Sequence, residues 1–256
     1  MAAATATSPA VSSDLPLASV RMYRQGLGDC FLVTFRREDG SPYRVMIDCG
    51  VVLGTEEPER KMRAVVQSII ETSGGVVDLL VVTHEHWDHV SGFTQVDELF
   101  AGTDASPAKD KLVVREVWMG WTEDPGDEVG QQLRHDRQAR LDKLAGFVAG
   151  ADALGLAQDQ VVAGIGELLS FFGVDEKGQR AGSTGAALDK ARGLAGRSPR
   201  YCRPDDAPAS LPGVPGLRVY VLGPPRDPAL IRKTDADDQV YHLAAAGEVA
   251  AFFAAP

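Results

Sequence analysis

The chain is poor in cysteine, poor in net positive charge and without long apolar runs, and each shortage removes a class of protein. Only three cysteines, Cys30, Cys49 and Cys202, occur among 256 residues. An odd, sparse set builds no disulfide framework, so the sequence points to reduced thiols and a cytoplasmic location. Lys and Arg number 26 against 36 Asp and Glu, a formal charge of -10. Nucleic-acid binding normally rests on phosphate neutralisation by basic side chains, so charge does not support nucleic acid as a partner. No stretch approaches the roughly 18 consecutive apolar residues of a membrane span, and no membrane partner is expected. The opening MAAATATSPAVSSDLP has neither the basic start nor the apolar centre of a signal peptide, so residues 1–18 read as a disordered tail.

What is present suits one folded unit. A 44% hydrophobic share over 256 residues is enough for a single sizeable core, taken here as residues 19–256. Apolar, β-branched segments at 19–24, 30–36, 43–49 and 78–83 read as strands, separated by Gly-, Asp- and Pro-containing turns. Between the last two, Pro58 opens a helix that puts Met62, Val65, Val66, Ile69 and Ile70 on one face and stops at Gly74-Gly75. A further helix is expected over 94–100 and a strand over 113–121. The alternation predicts a layered α/β fold.

From about 127 to 196 the composition shifts to Ala, Gly, Leu, Gln and Arg with helical spacing, an inserted helical segment. Glycines at 150, 155, 164, 166 and 173 are expected to cut it into short helices, with 177–183 as a mobile loop. A proline-rich run at 203–215 leads to an expected strand at 217–222, and an Ala-rich helix is expected over 239–254.

Chemistry concentrates at Thr83-His84-Glu85-His86-Trp87-Asp88-His89, which holds three of the five histidines directly after the apolar run 78–82. A lone histidine reads as a solvated loop residue; four ligand-type side chains at this spacing after a strand do not. Imidazole nitrogen and carboxylate oxygen suit zinc and similar divalent ions. In an extended segment residues i and i+2 share a face, so His84 and His86 converge on one ion, and a turn after Trp87 aims Asp88 and His89 at a second ion or a water. Glu85 reads as a solvent-facing spacer, and Trp87 either walls the pocket or packs in the core.

These residues form an HxHxDH motif, and with Gln25-Gly26-Leu27-Gly28-Asp29 and Val45-Met46-Ile47-Asp48-Cys49-Gly50 the chain resembles the metallo-β-lactamase superfamily, most nearly the soluble hydrolase domains of ComEC-type competence proteins. The resemblance implies an αββα sandwich with one or two Zn2+ ions, or Mn2+, at the sheet edge. It implies His84 and His86 on the first ion, Asp88 and His89 on the second, and Asp48 supporting the loop without ligating. The alternative for Asp48 is a turn carboxylate before Gly50.

Against that family's pattern the later ligands are missing. Gly126-Asp127 follows no strand, and only His135 and His242 remain as imidazoles, His135 on the polar part of an expected helix. The sandwich is therefore expected to be incomplete in its C-terminal half, which would bare an apolar sheet face and favour self-association. The function implied is a metal-dependent hydrolase using metal-activated water, with Asp88 as the catalytic carboxylate and a small-molecule or phosphodiester substrate. The alternative is a truncated or degenerate, noncatalytic module that binds a metal or a partner.

Overall fold

The computed structural model describes residues 16–101, 110–156, 159–175, 177–179 and 182–231. The fold starts as an antiparallel meander of β1 (Ala18–Met22), β2 (Phe31–Arg36) and β3 (Pro42–Ile47), with Val20 opposite Val33 and Val33 opposite Val45. Helix α1 (Pro58–Ser73) follows, with proline in its first turn, where a missing N–H costs nothing, and with Met62, Val65, Val66, Ile69 and Ile70 buried as one face. It stops at Gly74, whose left-handed backbone (φ 66°) lets its N–H reach the Ile70 carbonyl.

The chain then returns through β4 (Val76–Val77) and β5 (Leu79–Val82), the latter parallel to β3 with Val45 opposite Leu79. Two single turns of helix, α2 (Trp87–Val90) and α3 (Gly92–Gln95), lead to β6 (Val113–Val114) and β7 (Val117–Gly120). The helix expected over 94–100 is thus shorter, continuing only as a 3-10 turn at Asp97–Leu99. Helices α4 (Glu128–Ala153), α5 (Gln160–Ser170) and α6 (Thr184–Gly193) form the insertion, and β8 (Arg200–Cys202) closes the sheet. The sheet order is β1-β2-β3-β5-β7-β8, parallel from β3 onward, with β4 and β6 as a separate parallel pair. The carboxyl ends of β3, β5 and β7 therefore meet at one edge, where α/β sheets build their sites.

The sheet is covered unequally. On one face Leu32, Met46, Leu80 and Met119 pack with α1, α3 and α6. On the other, Tyr43, Val45, Leu79, Trp118 and Cys202 meet Leu211 and Val214 of the proline-rich run. The strand expected at 217–222 keeps its alternation, with Leu217, Val219 and Val221 half-buried against this face. It makes only one bridge, Ala209 to Val219, because no described strand lies beside it to complete a ladder. Among the described residues, then, the α/β architecture with a central, mostly parallel sheet is as expected. Among those residues the second layer of the sandwich amounts to this strap, and Val20 and Met22 at the β1 end are exposed.

The insertion is less broken than its glycines suggest. Helix α4 runs 26 residues through Gly146 and Gly150, and α5 contains Gly164 and Gly166. Only Gly155 and Gly173, with φ of 75° and 74°, lie at helix ends. Interior glycines cost about 1 kcal/mol each; contacts of Leu141, Val148 and Ala151 with Val162, Ile165 and Leu169 offset that. Asp127 and Asp159 cap α4 and α5 by accepting backbone N–H bonds from Gly130 and from Val161 and Val162. Strand β8, which the sequence pattern does not reveal, is short and abuts the proline run. The helix expected over 239–254, His242 and most of the N-terminal tail lie outside the described residues. No described helix is long and apolar enough to cross a membrane.

Candidate metal centre

Strand β5 ends at Val82, and the extended backbone of His86 (φ -60°, ψ 146°) carries the chain to the turn of α2. His84 and His86 thus project together, with ring centroids 4.5 Å apart, and α2 swings His89 round until its ring lies 4.0 Å from that of His84. The three imidazoles are drawn to one place, with Asp88 Oδ2 3.6 Å from His89 Nε2.

Asp48, at the end of β3, holds this loop. It is 1% exposed and sits at φ 53°, an uncommon backbone for a residue with a side chain. Its Oδ1 accepts the Thr83 N–H at 2.8 Å. Its Oδ2 accepts the Thr83 hydroxyl at 2.5 Å and the His89 Nδ1–H at 2.9 Å. With the Thr83 proton committed to Asp48, the Thr83 oxygen can only accept from His84 Nδ1, 3.0 Å away. Both rings are then Nδ1–H tautomers with Nε2 lone pairs free, the state a metal ligand needs.

The loop is also stitched to the segments beside it. Cys49 N–H donates to the His89 carbonyl at 2.8 Å, Gly92 N–H to the Cys49 carbonyl at 2.8 Å, and Asp29 N–H to the Asp88 carbonyl at 3.0 Å. These contacts bring in Asp29, whose carboxylate lies 3.7 Å from His89 Nδ1. Asp29, Asp48 and His89 offer donor atoms within 4.8 Å of one another. Sequence reasoning misses Asp29 as a site residue, because it precedes the motif by some sixty positions and arrives through backbone pairing. The Gly-Leu-Gly-Asp turn was its only signal.

Electrostatics favour the neutral imidazole at His84 and His86 but not at His89. Burial, reinforced by the neighbouring imidazoles, lowers His84 below the usual histidine value and brings His86 to about 4. Burial also pulls on His89, but the bond to Asp48 and the charges of Asp48, Asp88 and Asp29 outweigh it and raise its pKa. Asp88 Oδ1 is buried and has no hydrogen-bond partner. Its Oδ2 lies 3.6 Å from His89 Nε2. A carboxylate with one oxygen left unpaired, together with three clustered imidazoles, is the donor chemistry of a divalent cation, so these residues fit zinc or manganese.

Of the two residues that alternate with the ligands, Glu85 differs from expectation and Trp87 takes one of its two expected places. Glu85, expected to face solvent, has a side chain only 13% exposed that pairs with Arg137 of α4. Burial raises its pKa to about 7 despite that partner, with nearby Glu123 adding to the rise. Trp87 is buried, its ring beneath Gly173 and Gly182, which places it in the core. His135 stays exposed on α4, away from the cluster.

With this geometry in place, one comparison decides the family. A sequence-family model described as "Metallo-beta-lactamase superfamily" matches residues 23–171, more than half the chain. The chain belongs to the metallo-β-lactamase superfamily. Searches of curated proteins and of solved structures returned no match. The matched segment of this metallo-β-lactamase superfamily member spans Asp29, Asp48, the whole metal loop and α4 and α5, so the insertion lies largely within the family's own region. Superfamily membership implies a metal-dependent hydrolase, and the His and Asp cluster supplies a candidate site for the metal.

Proposed function

We propose that the chain is a zinc- or manganese-dependent hydrolase of phosphodiesters. One observation carries this reading: His84 and His89, both with Nε2 free, crowd with His86, and the Asp88 carboxylate joins them with Oδ2 3.6 Å from His89 Nε2 and Oδ1 buried without a partner. His84 and His86 would hold one ion, and Asp88 and His89 a second or the far side of the same one. When bound, the divalent ion supplies Lewis acidity that brings the pKa of water toward neutrality. Asp88 also orients the attacking water by accepting a hydrogen bond from it, and Asp48 keeps His89 and Thr83 in register. The ComEC-type resemblance of 25–29 and 45–50 supports a phosphodiester over thioester, lactone or lactam. The buried free thiols of Cys30, Cys49 and Cys202 support a cytoplasmic location.

A second reading, a metal-binding module without turnover, is favoured by one feature. Among the described residues no fourth imidazole joins the cluster. The test is metal content per chain for wild type and His86→Ala, beside hydrolysis of bis(4-nitrophenyl) phosphate. Bound metal and hydrolysis, both lost on substitution, support the hydrolase. Metal without hydrolysis supports the module, and a metal-free wild type overturns both.

A further inference from the structure

The loop that ends α5 delivers two aromatic rings to the metal centre. Phe172 meets the His86 ring edge-on, with centroids 4.8 Å apart, and Phe171 lies 5.8 Å from the same ring. Their anchoring differs. Phe172 is half-buried against the α4 and α5 cluster, whereas Phe171 keeps 39% of its surface exposed.

Phe171 is thus a large apolar ring, partly open to solvent, with its centroid 5.8 Å from a half-buried imidazole, where an apolar part of a bound molecule would cover it. The backbone beneath it is fixed: the Phe171 carbonyl accepts the Trp87 N–H at 2.6 Å, and Gly173 takes the Gly182 N–H at 3.1 Å. A Cβ on Gly182 would lie 2.2 Å from the Trp87 ring, so the Trp87 indole seats this loop at close range. The Phe171 backbone is therefore fixed, and its ring forms a wall 5.8 Å from that of His86.

We propose that Phe171 is a specificity-determining residue that selects substrates carrying an aryl or similarly flat apolar group next to the scissile bond. The proposal rests on the phosphodiester reading above. It agrees with the acidic charge of the chain, which gives a polyanionic chain no attraction. A phenyl group in van der Waals reach of Phe171 gains ring-on-ring contact and leaves water, together worth about tenfold in affinity.

The test measures binding of phenylphosphonate and of methylphosphonate to zinc-loaded protein by calorimetry, in wild type, Phe171→Ala and Phe171→Trp. Hydrolysis of bis(4-nitrophenyl) phosphate and of methyl 4-nitrophenyl phosphate is followed in parallel. Wild type should bind the phenyl compound about tenfold more tightly. Phe171→Ala should bring the two affinities together, and Phe171→Trp should restore the gap. In turnover the alanine variant should raise KM for both esters, since each carries a nitrophenyl group on phosphorus. Equal affinities in wild type, or a preference that survives in Phe171→Ala, overturn the wall while leaving the hydrolase reading intact. If zinc binds but wild type takes neither phosphonate and cleaves neither ester, the phosphodiester reading fails and the wall with it. The side chain is exposed and only its backbone carbonyl holds Trp87, so the substitutions test binding and not folding.

Discussion

At the scale of single residues, Asp48 does most to make the cluster a site. Replacing it with alanine strands the Thr83 N–H and unties His89, groups that now share one buried carboxylate. We expect Asp48→Ala to cost about 2–4 kcal/mol in unfolding free energy by denaturant titration, and zinc affinity to fall about 10- to 100-fold. Asp48→Asn, which keeps the shape and removes the charge, should lose affinity with a smaller stability loss. Proton competition follows from the same contacts. His89 is raised above the ordinary histidine value, so its proton competes with metal as soon as the pH falls to that range, whereas His86, at about 4, competes only in strong acid. Zinc binding measured by titration should weaken as the pH falls toward and through the histidine range, starting on the high side of the ordinary histidine value, and the midpoint should move down in Asp48→Asn. The motif was legible because His84, His86, Asp88 and His89 are set by local backbone geometry. Asp29 and the Glu85–Arg137 pair were not, since each depends on a segment distant in sequence.

At the scale of elements, the centre exists because three backbones approach closely. A Cβ on Gly50 would lie 2.4 Å from the Asp88 carbonyl group, and one on Gly28 would lie 2.6 Å from the Gly50 oxygen. Gly50→Ala must push the metal loop away and should cost about 3 kcal/mol or more with loss of bound metal. Gly54→Ala is the control: its φ is 85° but its added Cβ meets nothing within 4 Å, so about 1 kcal/mol of backbone strain is all that is expected. Asp127 plays the corresponding part for the insertion, capping α4 while its Oδ2 bonds Arg226 at 2.8 Å. Burial pulls its pKa up, but the bonds from Arg226 and the Gly130 N–H prevail and lower it. A lowered folded-state pKa means stability that is present above the unfolded value and lost as the pH falls toward the folded one. Asp127→Ala should therefore cost about 1–2 kcal/mol at neutral pH and flatten the acid limb of a Tm-against-pH curve. Of these elements, α1 and strands β2, β3 and β5 were readable within a residue or two from apolar periodicity and Gly or Pro stops. β8 was not, because a three-residue strand has too little alternation to show, and the unbroken α4 was not, because tertiary packing outweighs its glycines.

At the scale of the molecule, the metal loop joins everything that matters: the ends of β3 and β5, the Gly28 turn, α3 through Gly92 and the insertion through Phe171 and Arg137. Without a cation this junction gathers the carboxylates of Asp29, Asp48 and Asp88 in one place, Asp88 with a buried oxygen left unpaired. A divalent ion compensates that charge and ties the segments together, so it binds the folded chain far better than the unfolded one. At a free concentration one hundred times Kd this linkage contributes about 2.7 kcal/mol. For a chain of this size that raises Tm by about 5–10 °C. The expected result is a zinc-dependent Tm that chelation reverses, measured by differential scanning calorimetry. His86→Ala should start from nearly the same metal-free Tm, because its ring has only edge contacts with His84 and the two phenylalanines, and should show little of the increment. A zinc increment of equal size in His86→Ala would mean that the ion stabilises the fold from somewhere else. The three imidazoles would then be a packed polar cluster and not the centre of a hydrolase.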